Sequence, residues 1–197
     1  MASIIRELSS IVARDPAARS WLEVALTYPG FHAVLAHRLT HALWRLRLTF
    51  IARFLSNIVR MLTGIEIHPA AVIGAYCFID HGAGVVIGET AIIGKRCTIY
   101  QGVTLGGMSI QKGKRHPTLG DDVVVGAGAM LLGPITVGDR ARIGANAVLL
   151  KDAPADAVMV GIPARPRPAD GAPDSSTLLE RVASLEARLA RVDGLSP

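Results

Sequence analysis

The chain has 197 residues, half of them hydrophobic but only 5% aromatic, with a formal charge of +5. That length supports one sizeable core with a smaller appendage, and a core built from Ile, Val, Leu, Ala and Gly suits repetitive packing of small and β-branched side chains. No run reaches the roughly 18–20 apolar residues of a membrane span, and the basic residues are mostly scattered Arg on helical segments, so neither membrane nor nucleic acid is expected as a partner.

In chain order, residues 1–63 read as a helical domain. Ile4, Leu8, Ile11 and Val12 follow helical spacing. No basic start followed by an apolar block marks a signal peptide there. "DPAARSW" offers Asp15 as an N-cap with Pro16 at the first helical position. "YPG" at 28–30 is expected to break the chain, with two further helices over 31–46 and 49–62. Arg45, Arg47, Arg53 and Arg60 interrupt this region. His37 and His41, four apart on a helix, resemble a metal pair but have no third ligand or adjacent Glu, so no metal is expected. Cys77 and Cys97 each sit in an apolar run, which predicts two reduced core thiols in a cytoplasmic protein.

From Ile67 the pattern changes. IHPAAV, IGAYCF and IDHGAG follow one another, and the series resumes through IGETAI, IGKRCT, IYQGVT, LGGMSI, LGDDVV, VGAGAM, LLGPIT, VGDRAR, IGANAV and LLKDAP. Each hexad begins with Ile, Leu or Val, and Gly follows in most. A period of six fits neither an amphipathic helix nor a plain alternating strand. It fits a parallel β-helix over 64–165, in which each hexad supplies one face of a triangular coil and the leading aliphatic points inward. Gly after it is expected to permit the tight backbone at each corner.

The fold class is therefore α+β. Two extra residues fall around "HGAGVV" and two more in "GGMSIQKGKRHPT". Interruptions of a solenoid tend to sit on a binding face, and these two carry His81 and His116. Residues 166–197 begin as a Pro-rich linker. Leu178, Val182, Leu185, Leu189 and Val192 then form a short heptad seam, with Thr177 and Glu180 as a capping box and Gly194 as terminator. Packing on its own domain and a small oligomerisation coil are both open for this helix.

"GIEIHPAAVIGAYCFIDHGAGVVIGETA", "TIYQGVTLGG" and "KGKRHPTLGDDVVVGAGAMLLGPITVG", with the helical stretch from "RDPAARSW", together resemble serine acetyltransferases over residues 12–165. The "DH…GVVIGET" and "QGVTLGG…RHP" segments are specific to that family, whereas the hexads mark only the hexapeptide acyltransferase superfamily. The N-terminal part is shorter than in the long family members. The resemblance implies a left-handed parallel β-helix and acetyl transfer from acetyl-CoA to the L-serine hydroxyl in cysteine biosynthesis. It also implies direct transfer without an acyl-enzyme, inhibition by cysteine, and a homotrimer or dimer of trimers with sites between subunits. A complex with O-acetylserine sulfhydrylase is a further family property, made through a terminal Ile, where this chain has Leu195-Ser196-Pro197.

The chemistry agrees with His81 as base. A hydroxyl is a poor nucleophile at its free pKa, so attack on a thioester needs a base within hydrogen-bond reach. A carboxylate on the other imidazole nitrogen would hold the tautomer. The resemblance gives Glu66 that role, although long family members have Asp there. Fifteen residues before His81, Glu66 is expected about one coil away as a stacked neighbour. Also by resemblance, Asp15 and Asp80 hold the serine ammonium group and Arg115 its carboxylate. His116 helps bind serine and stabilises the oxyanion. Gly106, Gly107, Ala127 and Ala145 present backbone to the pantetheine arm of coenzyme A; Lys112 and Lys114 read either as attracting its phosphates or as solvated loop charges. His68 reads as structural, bonding backbone near the first coil. The competing readings are transfer to another hydroxyl acceptor (a sugar, an antibiotic or homoserine) and a regulatory partner of the sulfhydrylase.

Overall fold

Elementary patterning accounts for the helical segment of the computed structural model, which describes residues 4–167 together with Ala183 and Leu185. Ile4–Val12 forms α1 and buries Leu8 and Ile11. Trp21–Thr27 forms α2, Pro29–Arg45 α3 and Thr49–Thr63 α4. Asp15 does not cap a helix. Its Oδ1 accepts from Ala17 N at 2.8 Å in a local turn, and Ser20 caps α2, accepting from Glu23 N at 3.1 Å. "YPG" is a one-residue joint rather than a longer break, because Pro29 fits the first turn of α3, where no backbone N–H is needed. Among the described residues no helix is long and apolar enough to cross a membrane.

Among the described residues fifteen short strands follow: β1 (Glu66–Ile67), β2 (Val72–Ile73), β3 (Phe78–Ile79), β4 (Val86–Ile87), β5 (Ile92–Ile93), β6 (Thr98–Ile99), β7 (Thr104–Gly106), β8 (Thr118–Leu119), β9 (Val124–Val125), β10 (Met130–Leu132), β11 (Thr136–Val137), β12 (Arg142–Ile143), β13 (Val148–Leu149), β14 (Val158–Val160) and β15 (Arg165–Arg167). All the strand pairings of residues 66–160 are parallel. Face A stacks β1-β4-β7-β10-β13, face B β2-β5-β8-β11 and face C β3-β6-β9-β12-β14. Every leading aliphatic from Ile67 to Leu149 is buried, so each hexad contributes one inward rung to a continuous core.

The glycines act differently from the expectation. In most of the Gly-second hexads the left-handed corner residue is the fourth, for example Tyr76, Arg96, Asp122 and Arg140. Gly in second place is required by the next coil: a Cβ at Gly74 would lie 2.5 Å from Gly94 O, and one at Gly94 2.3 Å from Gly120 O. Because non-Gly residues fill most left-handed corners, their side chains can stack. Arg96 pairs with Asp122 and Arg140 with Asp156, forming a charge ladder up the edge between faces B and C.

The helices are tied to the first coils by long side chains that reach carbonyls left free at the coil edge. Arg14 donates to Tyr76 O at 2.6 Å and Arg96 O at 3.1 Å, with its guanidinium 5.3 Å from the Phe78 ring centre. Arg38 donates to Ile73 O at 2.9 Å and Gly74 O at 3.0 Å while pairing with Glu7. His37 Nε2 lies 3.1 Å from Ala71 O and His41 Nδ1 2.8 Å from Pro69 O, so both histidines bond backbone. Gly30 brings α3 against the coil, since a Cβ there would sit 1.9 Å from Ile79 O. Gly30→Ala is accordingly expected to destabilise by about 1–3 kcal/mol, visible as a lower urea midpoint; an unchanged midpoint would show that α3 can lift from the coil without cost.

The C-terminal heptad helix expected over 178–192 lies, apart from Ala183 and Leu185, outside the described residues.

Candidate active site

The expected site residues other than Ala127 and Ala145 fall into two clefts on opposite edges of face A. The first lies at the corner from face C to face A. After Ile79 the chain bends sharply: Gly82 N donates to Asp80 O at 2.7 Å and Ala83 N to His81 O at 2.7 Å. His81 adopts φ 58° and Gly82 φ 57°. The left-handed region is unfavourable for a residue with a Cβ. Gly82 is needed twice over, because a Cβ there would also meet Ile65 Cδ1 at 2.4 Å. This bend absorbs the two extra residues and turns the His81 side chain outward, where it is 75% exposed.

Asp15 and Asp80 share a cleft of about 310 Å³ with His81. Asp80 Oδ1 is 4.0 Å from His81 Nε2. Asp15 is brought there by the neighbouring Arg14 anchor. Its carboxylate is held by Ala17 N and by Tyr28 OH, which donates to Oδ2 at 2.6 Å. That bond to Asp15 pushes the Tyr28 phenol up to about 12, so Tyr28 stays a donor. A carboxylate pair beside an open imidazole suits an ammonium group next to a hydroxyl to be deprotonated.

The second cleft, about 430 Å³, lies at the corner from face A to face B and holds Glu66, Gly106, Gly107, Arg115 and His116, with Arg53, His68, Gly88 and Glu89. "GET" is the pedestal for "KRH". Thr90 Oγ1 accepts from Arg115 N at 3.0 Å and His116 N at 3.1 Å. Glu89 Oε2 accepts from Arg115 Nη2 at 2.6 Å, and Lys114 Nζ donates to Thr90 O at 2.7 Å. His116 Nδ1 accepts from Thr90 N at 3.2 Å and lies 2.9 Å from Thr90 Oγ1. With Nδ1 occupied as acceptor, the neutral ring carries its proton on Nε2. Burial, aided by Arg115, lowers the His116 pKa, so the ring stays neutral. The ring fills the space over Gly88, where a Cβ would lie 2.0 Å from its Cδ2 and 2.1 Å from its Nε2.

Glu66 and His81 do not stack within one chain. The extra residues lengthen the first coil, so Glu66 sits in register with Val86, and its carboxylate pairs instead with Arg60 Nη1 at 3.1 Å. The four backbone positions expected for coenzyme A also separate. Gly106 and Gly107 line the second cleft, whereas Ala127 and Ala145 stand above His81 on the other corner. There Gly102 N donates to Ala83 O at 2.9 Å, Gly128 N to Gln101 O at 2.8 Å and Asn146 N to Ala127 O at 2.8 Å, forming one column.

Sequence reasoning missed Tyr28, Gly88, Glu89 and Thr90. The "GVVIGET" stretch stands out as a motif in the sequence, but only contacts across 26 residues reveal its purpose. Among the described residues no group of three or more His, Cys, Asp or Glu could hold a metal ion.

Two family models match the coils. Residues 116–151 match "Bacterial transferase hexapeptide (six repeats)" and residues 84–109 match "Hexapeptide repeat of succinyl-transferase". A serine acetyltransferase of Synechococcus elongatus is 54% identical over 194 residues, covering 91% of this chain and 80% of that protein. One from Helicobacter pylori is 59% identical over 165 residues, covering 84% and 96%. The crystal structure of Neisseria gonorrhoeae serine acetyltransferase in complex with serine superposes with a TM-score of 0.81 at 42% identity, covering 84% of this chain and 67% of that one.

Proposed function

The chain belongs to the serine acetyltransferase family, with its left-handed parallel β-helix, and from that premise we propose how its two clefts carry out the reaction. The activity is serine O-acetylation, with acetyl-CoA as co-substrate. The observation that supports our reading of the site is the separation of the two clefts: each holds part of the expected machinery, and His81 stands open beside the first.

Assembly of a trimer would set the His81 corner of one copy against the Arg115 and His116 corner of the next. Exposed outward residues on the coil faces, Val72 and Ile92 on face B and Met130 on face A, favour burial between copies. In the assembled site Asp15 and Asp80 hold the serine ammonium group. Arg115 retains guanidinium donors for the serine carboxylate after its bond to Glu89. His81 accepts the hydroxyl proton as the serine oxygen attacks the thioester carbon, and the facing copy's Glu66 carboxylate orients the imidazolium. The neutral His116 Nε2–H donates to the oxyanion. The carbon–sulfur bond then breaks and the departing thiolate takes the proton from His81, giving O-acetylserine and CoA. Ala127 and Ala145 above His81, with Gly106 and Gly107 of the facing copy, leave the wall between copies smooth enough for a pantetheine arm.

The test of the acceptor is CoA release with serine, homoserine and sugar acceptors in parallel; faster release with any acceptor other than serine overturns the reading. The shared site has its own test. His81→Ala and His116→Ala are each expected to be nearly inactive alone, but mixed equally during expression they are expected to recover roughly a quarter of wild-type activity, because about three quarters of the trimers are mixed and every mixed trimer holds one of its three interfaces with both side chains intact. No recovery would mean that each chain builds its site alone.

A further inference from the structure

One side chain in the second cleft has no part in the scheme above. His68 follows β1 at the same corner where Gly88 follows β4. The His116 ring lies over Gly88, so the two imidazoles line one cleft from neighbouring rungs of the stack. They are prepared in the same way. Ala70 N donates to His68 Nδ1 at 3.0 Å, as Thr90 N does to His116 Nδ1. Each neutral ring is thereby fixed with its proton on Nε2. The edge-on Trp44 ring, 5.1 Å between centres, holds the His68 plane. Burial, helped by Arg53, pushes the His68 pKa down to about 4, so the ring stays neutral near pH 7. Among the described residues its Nε2 meets no hydrogen-bond partner, yet the side chain lines the cleft.

A purely structural histidine would need only its Nδ1 contact. A second preset N–H beside His116 has a chemical use where negative charge develops on one oxygen, because such sites stabilise it with two converging donors. A neutral imidazole serves better here than a cation, which would attract the ground-state carboxylate as strongly as the transition state.

We infer that His68 is a second catalytic donor, acting with His116 on the thioester carbonyl oxygen as it becomes an oxyanion. This rests on the acetyl-transfer reading above. The discriminating variant is His68→Asn, whose short side chain can still accept from the N–H two residues on, as in an Asx turn, but which has no ring Nε2–H to offer the cleft. Both His68→Asn and His68→Ala are expected to lose about 10²-fold in kcat, with KM for serine and acetyl-CoA within about threefold of wild type. Thermal midpoints should show His68→Asn folded. Wild-type kcat in His68→Asn overturns the inference and leaves a turn-forming role; a raised KM at unchanged kcat overturns it in favour of ground-state binding. Should His68→Asn fail to fold, His68→Gln against His68→Met makes the same comparison, since only Gln donates, and equal rates overturn it. Wild-type protein that releases no CoA with serine sinks the acetyl-transfer reading and this inference together, whereas an active wild type beside an unimpaired variant sinks this inference alone.

Discussion

His81→Ala is expected to lower kcat about 10³-fold while leaving the fold intact. The reason for the loss is chemical: no other imidazole in the first cleft can take the serine proton, and the two carboxylates beside it are matched to an ammonium group. The reason for the intact fold is geometric. The imidazole is 75% exposed in the chain and no core residue rests on it, so truncation opens no cavity. At φ 58° both residues carry a Cβ, so the exchange adds little backbone strain. The check is a CoA-release assay beside circular dichroism of the same preparation. Retention of more than about a tenth of the wild-type rate would remove His81 from the role of base.

Gly88→Ala is expected to have the next largest effect, and by an indirect route. Its Cβ would lie 2.0 Å from Cδ2 of His116. The ring cannot slide within its plane, because Thr90 holds Nδ1 from the other side. It can only swing out, taking Nε2 away from the cleft. Side-chain rotation costs the fold little, so the loss should appear in kcat, about 10²-fold, with a thermal midpoint near that of wild type. The companion variant Thr90→Ser keeps the hydroxyl that accepts from Arg115 N and His116 N and should retain most activity. Gly88→Ala at full activity would show that the ring's position over residue 88 is irrelevant to turnover.

These two residues differ in how much of their task the sequence carries. His81 was legible because it interrupts a period: two surplus residues between Ile79 and Ile87 have to go somewhere, and the base stands beside them. Gly88 had the same appearance as every other second-place Gly in the repeat. Its task depends on a ring 28 positions away and on the loop that brings that ring back. The Asp15 turn resembles a helix start for a related reason. An Asp followed by Pro suits both an N-cap and a local turn, and the choice fell to the turn where Arg14 anchors to the first coils and Tyr28 takes the carboxylate. Glu66 misses His81 because fifteen residues fall short of a full coil: three hexads are eighteen, and the bend at His81 stretches this coil to twenty, from Glu66 to Val86.

What the amino-acid sequence determined by itself is the solenoid: a period of six, an aliphatic at the head of each hexad, and a core in which every such residue is buried. Nearest-neighbour stacking makes that outcome local, since each rung needs only the rungs above and below it. The helical segment and the identities of the reacting groups were also legible, because each depends on side-chain type and short-range spacing. Only the tertiary structure decided that Asp15, Asp80 and His81 share one cleft while Glu66, Arg115 and His116 share another. It alone revealed that Thr90 sets the His116 tautomer and that Glu66 faces Arg60. These are questions of direction. Wrapping the chain around a triangle sends residues a few positions apart to different edges, and brings residues 26 apart within a hydrogen bond of each other.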